Sequence, residues 1–302
     1  MIGKELKNTM KKILAIVALT MLFNTNSQNH RTSGTSNGFG SGSNNTASGT
    51  YTLYNNSTGN YNTASGYQAL YSNTIGNENT AFGYKALKYN TTGEYNTAMG
   101  YYALLVNTVG SNNTANGFRA LSSNTTGNSN TATGHQALYS NTTGFYNTGL
   151  GYQALYYNTT GYNNTALGFQ ALYSNTSGHQ NSSLGDYALG HNTEGRYNTA
   201  SGYEALYHNT EGHSNTAAGT FALKNNTTGI YNTASGVNTL YNNTTGANNT
   251  ATGVHALFNN KTGNRNSAFG DNAMTNGENA TNQTVIGYNT TGVDDNSVTL
   301  GN

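Results

Sequence analysis

The sequence contains no cysteine, proline or tryptophan, and charged residues occupy only 8% of its 302 positions. The absence of cysteine excludes a disulfide framework, thiolate metal sites and thiol catalysis. Four of the 12 basic and one of the 11 acidic residues lie in the first 12 positions, so the rest of the chain has a formal charge of −2. Such a chain lacks the basic surface that nucleic acid or an anionic membrane requires, so we expect neither as a partner.

The N-terminal segment has the pattern of a secretory signal peptide. Lys11 and Lys12 precede an apolar run of 11 residues over 13–23, which is too short to span a bilayer. A buried core helix is the alternative interpretation of that run. We expect a signal peptide over residues 1–27, a secreted or outer-surface location, and no membrane span in the mature chain. Residues 28–43, rich in glycine and serine, are expected to form a flexible linker.

The residues that the chain has in abundance are glycine, with 38 copies, and tyrosine, with 24. They belong to an internal repeat with the consensus N-T-A-x-G-Y-x-A-L-x-x-N-T-T-G-x-x, as in residues 62–78. A strict period combined with 11% aromatic residues argues against a disordered low-complexity tract. The first glycine of the consensus recurs at a constant interval of 17, at 49, 66, 83, 100, 117, 134, 151, 168, 185, 202, 219, 236, 253, 270 and 287.

A 17-residue period predicts one coil of a parallel β-solenoid per repeat. The unit is too short for a helical hairpin, and its frequent glycines disfavour helix. We expect two short strands and two turns in each coil. Neighbouring coils should lie about 4.8 Å apart, which gives a rod roughly 70 Å long. The predicted fold is therefore all-β, with about fifteen coils covering residues 44–302.

The consensus positions take distinct roles in such a coil. The A-L pair, in which leucine or methionine fills fourteen successive units from Leu53 to Met274, should supply the apolar interior. The N-T-T-G segment should form a turn whose glycine adopts a positive φ. Stacking of the coils should align identical asparagines in an amide ladder. The ladder would include Asn73, Asn90, Asn107 and Asn124.

The N-T-A-x-G-Y-x-A-L pattern resembles the head repeats of trimeric autotransporter adhesins, the YadA-like or haemagglutinin-type repeats, over about residues 44–302. The interval shortens to 14 between Gly287 and Gly301, which is typical of the same family. Similar 17-residue arrays occur in phage tail-fibre-like surface proteins. The resemblance implies a left-handed β-roll, a homotrimer and a role in adhesion. Self-association is also favoured by the thin core, since such coils depend on their neighbours or on other chains.

Tyrosines at 17-residue spacing are the main candidate binding residues. On a solenoid each set becomes a column, and exposed aromatic columns can stack on sugar rings or on a partner protein. The alternative is ring-on-ring packing that only stiffens the rod. Phe118 continues the first of two such columns, whose tyrosines are Tyr67, Tyr84 and Tyr101, and Tyr139, Tyr156 and Tyr173.

A second candidate site is polar. His191 and His208 are separated by one repeat, and so are Glu194 and Glu211. Stacked, they would bring two imidazoles and two carboxylates to one edge, a set that can bind a divalent metal. A solvated turn is the favoured interpretation, so we expect no metal and no cofactor. Because no nucleophile–base pair or phosphate-binding motif is present, we also expect no catalytic residues and no enzymatic activity.

The pattern favours a secreted or cell-surface, adhesin-like structural repeat protein. Such a rod would present repeated weak contacts to glycans or to matrix proteins and gain avidity from their number. One alternative is an ice-binding solenoid, because Thr63, Thr80, Thr97 and Thr114 would form a regular column. The other alternative is a passive spacer or fibre shaft of a phage-tail-like or surface assembly, which would have no ligand.

Overall fold

Strands form where the Thr-Ala-x segment precedes the motif glycine, because β-branched threonine favours extended backbone and glycine interrupts it. The structure is a computed structural model that describes residues 30–32 and 40–301. Its strands are β1 (His30–Thr32), β2 (Thr46–Ser48), β3 (Thr63–Ser65), β4 (Thr80–Phe82), β5 (Thr97–Met99), β6 (Thr114–Asn116), β7 (Thr131–Thr133), β8 (Thr148–Leu150), β9 (Thr165–Leu167), β10 (Ser182–Leu184), β11 (Thr199–Ser201), β12 (Thr216–Ala218), β13 (Thr233–Ser235), β14 (Thr250–Thr252), β15 (Ser267–Phe269), β16 (Thr284–Ile286) and β17 (Val298–Leu300).

The strands form one parallel sheet in which each strand pairs with the corresponding strand of the next coil. In the register of β3 and β4, Thr63 lies opposite Thr80 and Ala64 opposite Ala81, a displacement of one repeat. The same displacement holds from β2 through to β16. The predicted all-β parallel solenoid, with one coil per repeat, is confirmed. We number the positions of a coil from 1 to 17, so that position 1 is Asn62 and position 17 is Glu78 in coil 62–78.

The start of the solenoid lies earlier than residue 44. Strand β1, within the segment expected to be a linker, pairs in parallel with β2, with His30 opposite Thr46. The amides of Gly40 and Ser41 also donate to carbonyls of the following coil, at 2.7 and 2.6 Å. The predicted signal peptide over residues 1–27 lies outside the described residues.

The prediction of two strands per coil is wrong, because the A-L segment does not form one. Its backbone enters the left-handed region instead, with φ of 54° at Gln68 and 51° at Leu70. That conformation costs a non-glycine residue roughly 1–2 kcal/mol. Leu70 adopts it while its side chain is fully buried and its amide donates to the Ala86 carbonyl of the next coil at 3.0 Å. Burial and hydrogen bonding between coils thus override the local backbone preference.

The core is a column of alanines and leucines along the rod axis. Ala64, Ala69 and Leu70 are buried to within 1% of full burial, and the same three positions are buried in the coils up to 249–265. Position 8 holds threonine in three coils. One of them, Thr52, remains satisfied because its hydroxyl donates to the Gly66 carbonyl at 2.8 Å. The stacked coils of one chain therefore enclose the leucines by themselves.

The two glycines of each coil serve different physical needs. The motif glycine at position 5 has the positive φ, as in Gly151 at 137°. The prediction that the N-T-T-G glycine at position 15 adopts a positive φ is wrong. A Cβ on Gly144 would overlap the Asn141 Oδ1 atom and the Gly161 carbonyl oxygen of the next coil. This glycine is required by the close approach of neighbouring coils rather than by its own backbone angle.

Two ladders of buried asparagines run along the rod, at positions 1 and 12. The predicted ladder at position 12 is confirmed: the Asn141 carboxamide donates to Asn124 Oδ1 at 2.7 Å. A second ladder at position 1 was not predicted; there Asn130 Oδ1 accepts the Asn147 amide at 3.0 Å. Both asparagines of a coil also donate to one carbonyl, that of Gly144, at 2.8 and 3.0 Å. The two ladders therefore clamp each coil at its second glycine.

The last complete coil is shorter, as the spacing of Gly287 and Gly301 predicted. Strands β16 and β17 pair with Thr284 opposite Val298, so the displacement here is 14 rather than 17. Gln283 replaces the position-1 asparagine, and its longer side chain donates to Asn276 Oδ1 at 2.6 Å. The polar network of the interior therefore continues through the change of period.

The clamp yields a stability prediction for position 15. We expect Gly144→Ala to lower the free energy of unfolding by about 3 kcal/mol, because its methyl group separates two coils and disrupts buried amide hydrogen bonds. Thermal and urea unfolding followed by circular dichroism would measure the loss. Gly277→Ala is the matched control, since a Cβ at Gly277 meets no atom within 4 Å. Equal stabilities of the two variants would contradict the assignment.

Candidate functional site

The most ordered exposed feature of the rod is a surface that we call the aromatic face, formed by coil positions 6, 7, 10 and 11. In coil 62–78 these positions are Tyr67, Gln68, Tyr71 and Ser72. They share a face because position 6 ends the tight turn after the motif glycine, and positions 7 and 10 flank the buried Ala-Leu pair. Side chains at equivalent positions then stand one above another in successive coils.

Position 6 carries a continuous stack of seven rings. Neighbouring ring centroids lie 5.0–5.5 Å apart and the planes are inclined by 15° or less. Tyr84, Tyr101 and Phe118 expose about two fifths of their surface. The predicted column is thus confirmed as a stack and extends beyond the four predicted members. Its rings are Tyr67, Tyr84, Tyr101, Phe118, His135, Tyr152 and Phe169.

The second predicted column lies at position 10 and is more buried. The ring of Tyr156 stacks on Tyr139 at 5.1 Å and on Tyr173 at 5.3 Å. All three tyrosines are half-buried. The six predicted site residues therefore lie on one face, but in two columns that overlap only in part along the rod.

A ladder of glutamine carboxamides lies at position 7 of the same face. Gln153 donates to Gln136 Oε1 at 3.0 Å, and Gln170 donates to Gln153 Oε1 at 2.8 Å. These three side chains occupy the coils in which both aromatic columns are present. This ladder was not predicted from the sequence, although Gln recurs there at intervals of 17. Because residues 131–180 contain no Asp, Glu, Lys or Arg, this part of the face is an uncharged surface of rings and amides.

Two phenols of the second column, those of Tyr156 and Tyr173, have raised pKa values. Burial, followed by a hydrogen bond to Tyr157, raises the pKa of Tyr173 to about 12. Burial is also the main cause that raises the pKa of Tyr156. Neutral phenols can donate and accept hydrogen bonds, and their rings present apolar faces to a ligand.

The second column is interrupted at Gly190, which occupies position 10 where neighbouring coils have tyrosine. A small cavity of about 120 Å³ opens there, lined by Tyr173, Tyr187 and Tyr207 together with Gln170 and His191. Tyr207 leans into the vacated space, since a Cβ on Gly190 would come within 2.8 Å of its ring. The second column therefore ends in a notch after three stacked tyrosines.

A third aromatic column lies away from this face, at position 16. Phe145 stacks on Tyr162 at 5.0 Å, and Tyr162 stacks on His179 at 4.6 Å. This column was not predicted from the sequence, although its 17-residue spacing is the same signal that identified the other columns. Its three rings are stacked like those of the aromatic face but have no glutamine ladder beside them, so they can serve as a control.

The polar edge considered for a metal is only partly assembled. His191 and His208 stack with ring centroids 5.5 Å apart. Burial, and then the neighbouring His191, lower the pKa of His208. The nearby Lys224 forms an ion pair with Glu204, at 2.6 Å. Within the part of the chain that the structure describes, no group of three or more His, Cys, Asp or Glu side chains is arranged to hold a metal ion.

Comparison of the chain with protein-family models gave no match, and comparison with curated proteins gave none either. Among the described residues, no helix has the length and apolar character needed to cross a membrane. The role of the aromatic face is therefore inferred from its own geometry and chemistry.

The raised pKa of Tyr173 makes stability depend on pH in a defined direction. An unfolded tyrosine loses its proton near pH 10, so between pH 10 and about 12 the folded state holds the extra proton. Stability should therefore fall as pH rises through this window. We expect Tyr173→Phe to show a shallower decline of Tm between pH 10 and 12 than the wild-type chain. Tyr231→Phe, an exposed tyrosine outside the aromatic face, is the control, and identical slopes for all three proteins would contradict the prediction.

Proposed function

We propose that this protein is a secreted or cell-surface adhesin-like rod that binds glycans on its aromatic face. The observation that carries the proposal is the exposed stack of seven rings beside the ladder of glutamine carboxamides. Sugar rings have apolar C–H faces that pack on aromatic rings, while their hydroxyls pair with amides and phenols. Both kinds of contact are offered together in the coils around Tyr152.

Repetition of the site supports adhesion rather than tight binding of one small molecule. Successive coils present the same kind of ring at the interval between neighbouring strands, about 4.8 Å. A polymeric glycan lying along the face would meet several such contacts at once. Weak individual contacts then combine to a higher overall affinity, because each further contact is intramolecular. The sequence resemblance to adhesin head repeats and the predicted signal peptide point to the same location and role.

The two other candidate functions have less support in the geometry. In the strands, threonines at position 2 are in register, as Thr63 is with Thr80, which an ice-binding face would need. Position 4 beside them changes from Ser65 to Phe82 to Met99, so the surface is neither flat nor uniform. A passive spacer would explain the ring stacks through stiffness alone, but it assigns no purpose to the glutamine ladder.

Binding to neutral polysaccharides tests the proposal. The triple variant His135→Thr, Tyr152→Thr and Phe169→Val uses residues that the chain itself has at position 6 in other coils. We expect it to lower affinity for hydroxyethyl cellulose or soluble mannan about 10- to 100-fold, since three stacking contacts are lost. Affinity electrophoresis and calorimetry would measure binding, with circular dichroism to confirm the fold.

The matched control removes three rings from position 16, by Phe145→Asn, Tyr162→Asn and His179→Asn. Asparagine occupies that position in several other coils, so the coil should tolerate it. The control should bind like the wild-type chain. Absence of binding to every neutral and acidic glycan tested, with the protein folded, would leave the spacer interpretation; thermal hysteresis would favour the ice-binding one.

We also propose that the chain self-associates as a homotrimer. The thin core does not require this, because each leucine at position 9 is enclosed by its own chain. The support is instead a row of apolar side chains on the outward side of the strands, at position 4. Leu150 is half-buried, while Leu167 and Leu184 expose 43% and 51% of their surface. Such a contiguous apolar row is typical of a protein–protein contact.

Replacement of that row tests the trimer. Serine occurs at position 4 in other coils, so Leu150→Ser, Leu167→Ser and Leu184→Ser should preserve the coil. We expect the wild-type chain to be trimeric. The trimer of the triple variant should dissociate at concentrations about tenfold or more above those at which the wild-type trimer dissociates, because its interface buries less apolar area. Light scattering after size-exclusion chromatography measures this. A wild-type chain that is a stable monomer would refute the proposal.

A further inference from the structure

Three cationic side chains lie together on the aromatic face, N-terminal to its uncharged part. Lys85 and Arg119 occupy position 7, and Lys88 occupies position 10. Each lies against aromatic rings: Lys85 Nζ is 4.9 Å from the centroid of Tyr84, and the Arg119 guanidinium carbon is 5.3 Å from that of Phe118. Lys88 lies 4.6 Å from the ring centroid of the adjacent position-11 tyrosine and contacts its hydroxyl at 3.1 Å.

None of these three cations forms an ion pair in the described residues. The ion pairs found between residues 40 and 301 join Lys224 to Glu204 and Lys261 to Glu278. The acidic residue of these coils, Glu94, lies at position 16, and Glu78 of the preceding coil lies at position 17, so both are outside the aromatic face. Glu94 is occupied by the Asn77 carboxamide, which donates to it at 2.6 Å. This part of the face is consequently positive over a stack of exposed rings.

Lys85 and Arg119 each lie against a ring of the seven-ring column at position 6, namely Tyr84 and Phe118. Tyr84, Tyr101 and Phe118 stack at 5.0 and 5.5 Å. Lys85 and Arg119 are two coils apart, which corresponds to about 10 Å along the rod. An extended polymer lying along the column from Tyr84 to Phe118 would therefore pass Lys85 at one end and Arg119 at the other. Lys88 lies in the same coil as Lys85.

We propose that this segment, which we call the cationic patch, binds acidic polysaccharides, with sugar rings on Tyr84, Tyr101 and Phe118 and their carboxylates paired with Lys85, Lys88 and Arg119. The proposal deepens the glycan-binding function and depends on it. A guanidinium can hold a carboxylate through two parallel hydrogen bonds, while the ammonium groups act as point charges. The uncharged coils over residues 131–180 would then accept neutral stretches of glycan, so one rod would present two different binding segments.

A matched pair of polymers separates charge from sugar recognition. Polygalacturonate and its fully methyl-esterified form have the same backbone and differ in their carboxylates. We expect the triple variant Lys85→Gln, Lys88→Gln and Arg119→Gln to lose affinity for polygalacturonate about 10- to 100-fold, as three exposed charge pairs are removed. Binding of the esterified polymer should change less than about threefold, within the non-additivity of such contacts. Glutamine is already present at position 7 in several coils, so the fold should persist.

A control with the same net charge uses cations outside the face, namely Arg196→Gln, Lys261→Gln and Arg265→Gln. It should bind polygalacturonate like the wild-type chain. A second variant, Tyr84→Thr, Tyr101→Thr and Phe118→Val, keeps the charges and removes the rings. It should weaken polygalacturonate binding at least tenfold, whereas binding of dextran sulfate through charge alone would be retained.

The outcomes distinguish this proposal from the function on which it depends. Equal affinity of the wild-type chain for both galacturonate polymers, or no effect of the glutamine variant, would overturn the cationic patch and leave glycan binding in place. Two further results would show nonspecific capture of polyanions and would also overturn the cationic patch. One is a loss of binding in the control that replaces cations outside the aromatic face, and the other is undiminished binding in the variant that lacks the three rings. Failure of every polysaccharide to bind would remove both proposals.

Discussion

The double hydrogen bond to the carbonyl of each position-15 glycine is the interaction on which the rest of the rod depends. In coil 130–146 the carboxamides of Asn130 and Asn141 both donate to the Gly144 oxygen, and each is also bonded to the neighbouring coil. An unpaired amide in this interior would cost about 1–3 kcal/mol. Glycine is needed at the point of convergence because a Cβ would push the coils apart.

This clamp explains how a chain with so few large apolar residues can be ordered. Leucine at position 9 fills the interior only with its backbone in the left-handed region, as for Leu155 at φ 55°. The strain recurs at each position-9 leucine from Leu53 to Leu257 and is offset by hydrogen bonds that recur in the same coils. Because each repeat contacts only its neighbours, stability is a sum over repeats and interfaces. The interior is therefore as much a polar network as a hydrophobic core.

The interior network also determines what the surface can present. With the coils held at one spacing, any residue repeated at intervals of 17 becomes a column. The interior therefore sets the register of side chains as different as Tyr152, Gln153 and Lys85. Variation along the rod then arises from substitutions in single coils: Gly190 ends a tyrosine column, and Arg119 adds a charge to a row of amides. A uniform scaffold in this way carries segments of different chemistry.

The period of 17, the Ala-Leu interior, one asparagine ladder and the aromatic columns could all be predicted from the sequence, because each follows from spacing alone. The second ladder at Asn130, the left-handed leucines and the single strand per coil were decided by the tertiary structure. They depend on which backbone groups of adjacent coils meet, and no local propensity encodes that. The same reason applies to the candidate site: spacing identified Tyr67 and Tyr139 as column members, but only the fold brought their columns and the glutamine ladder to one face.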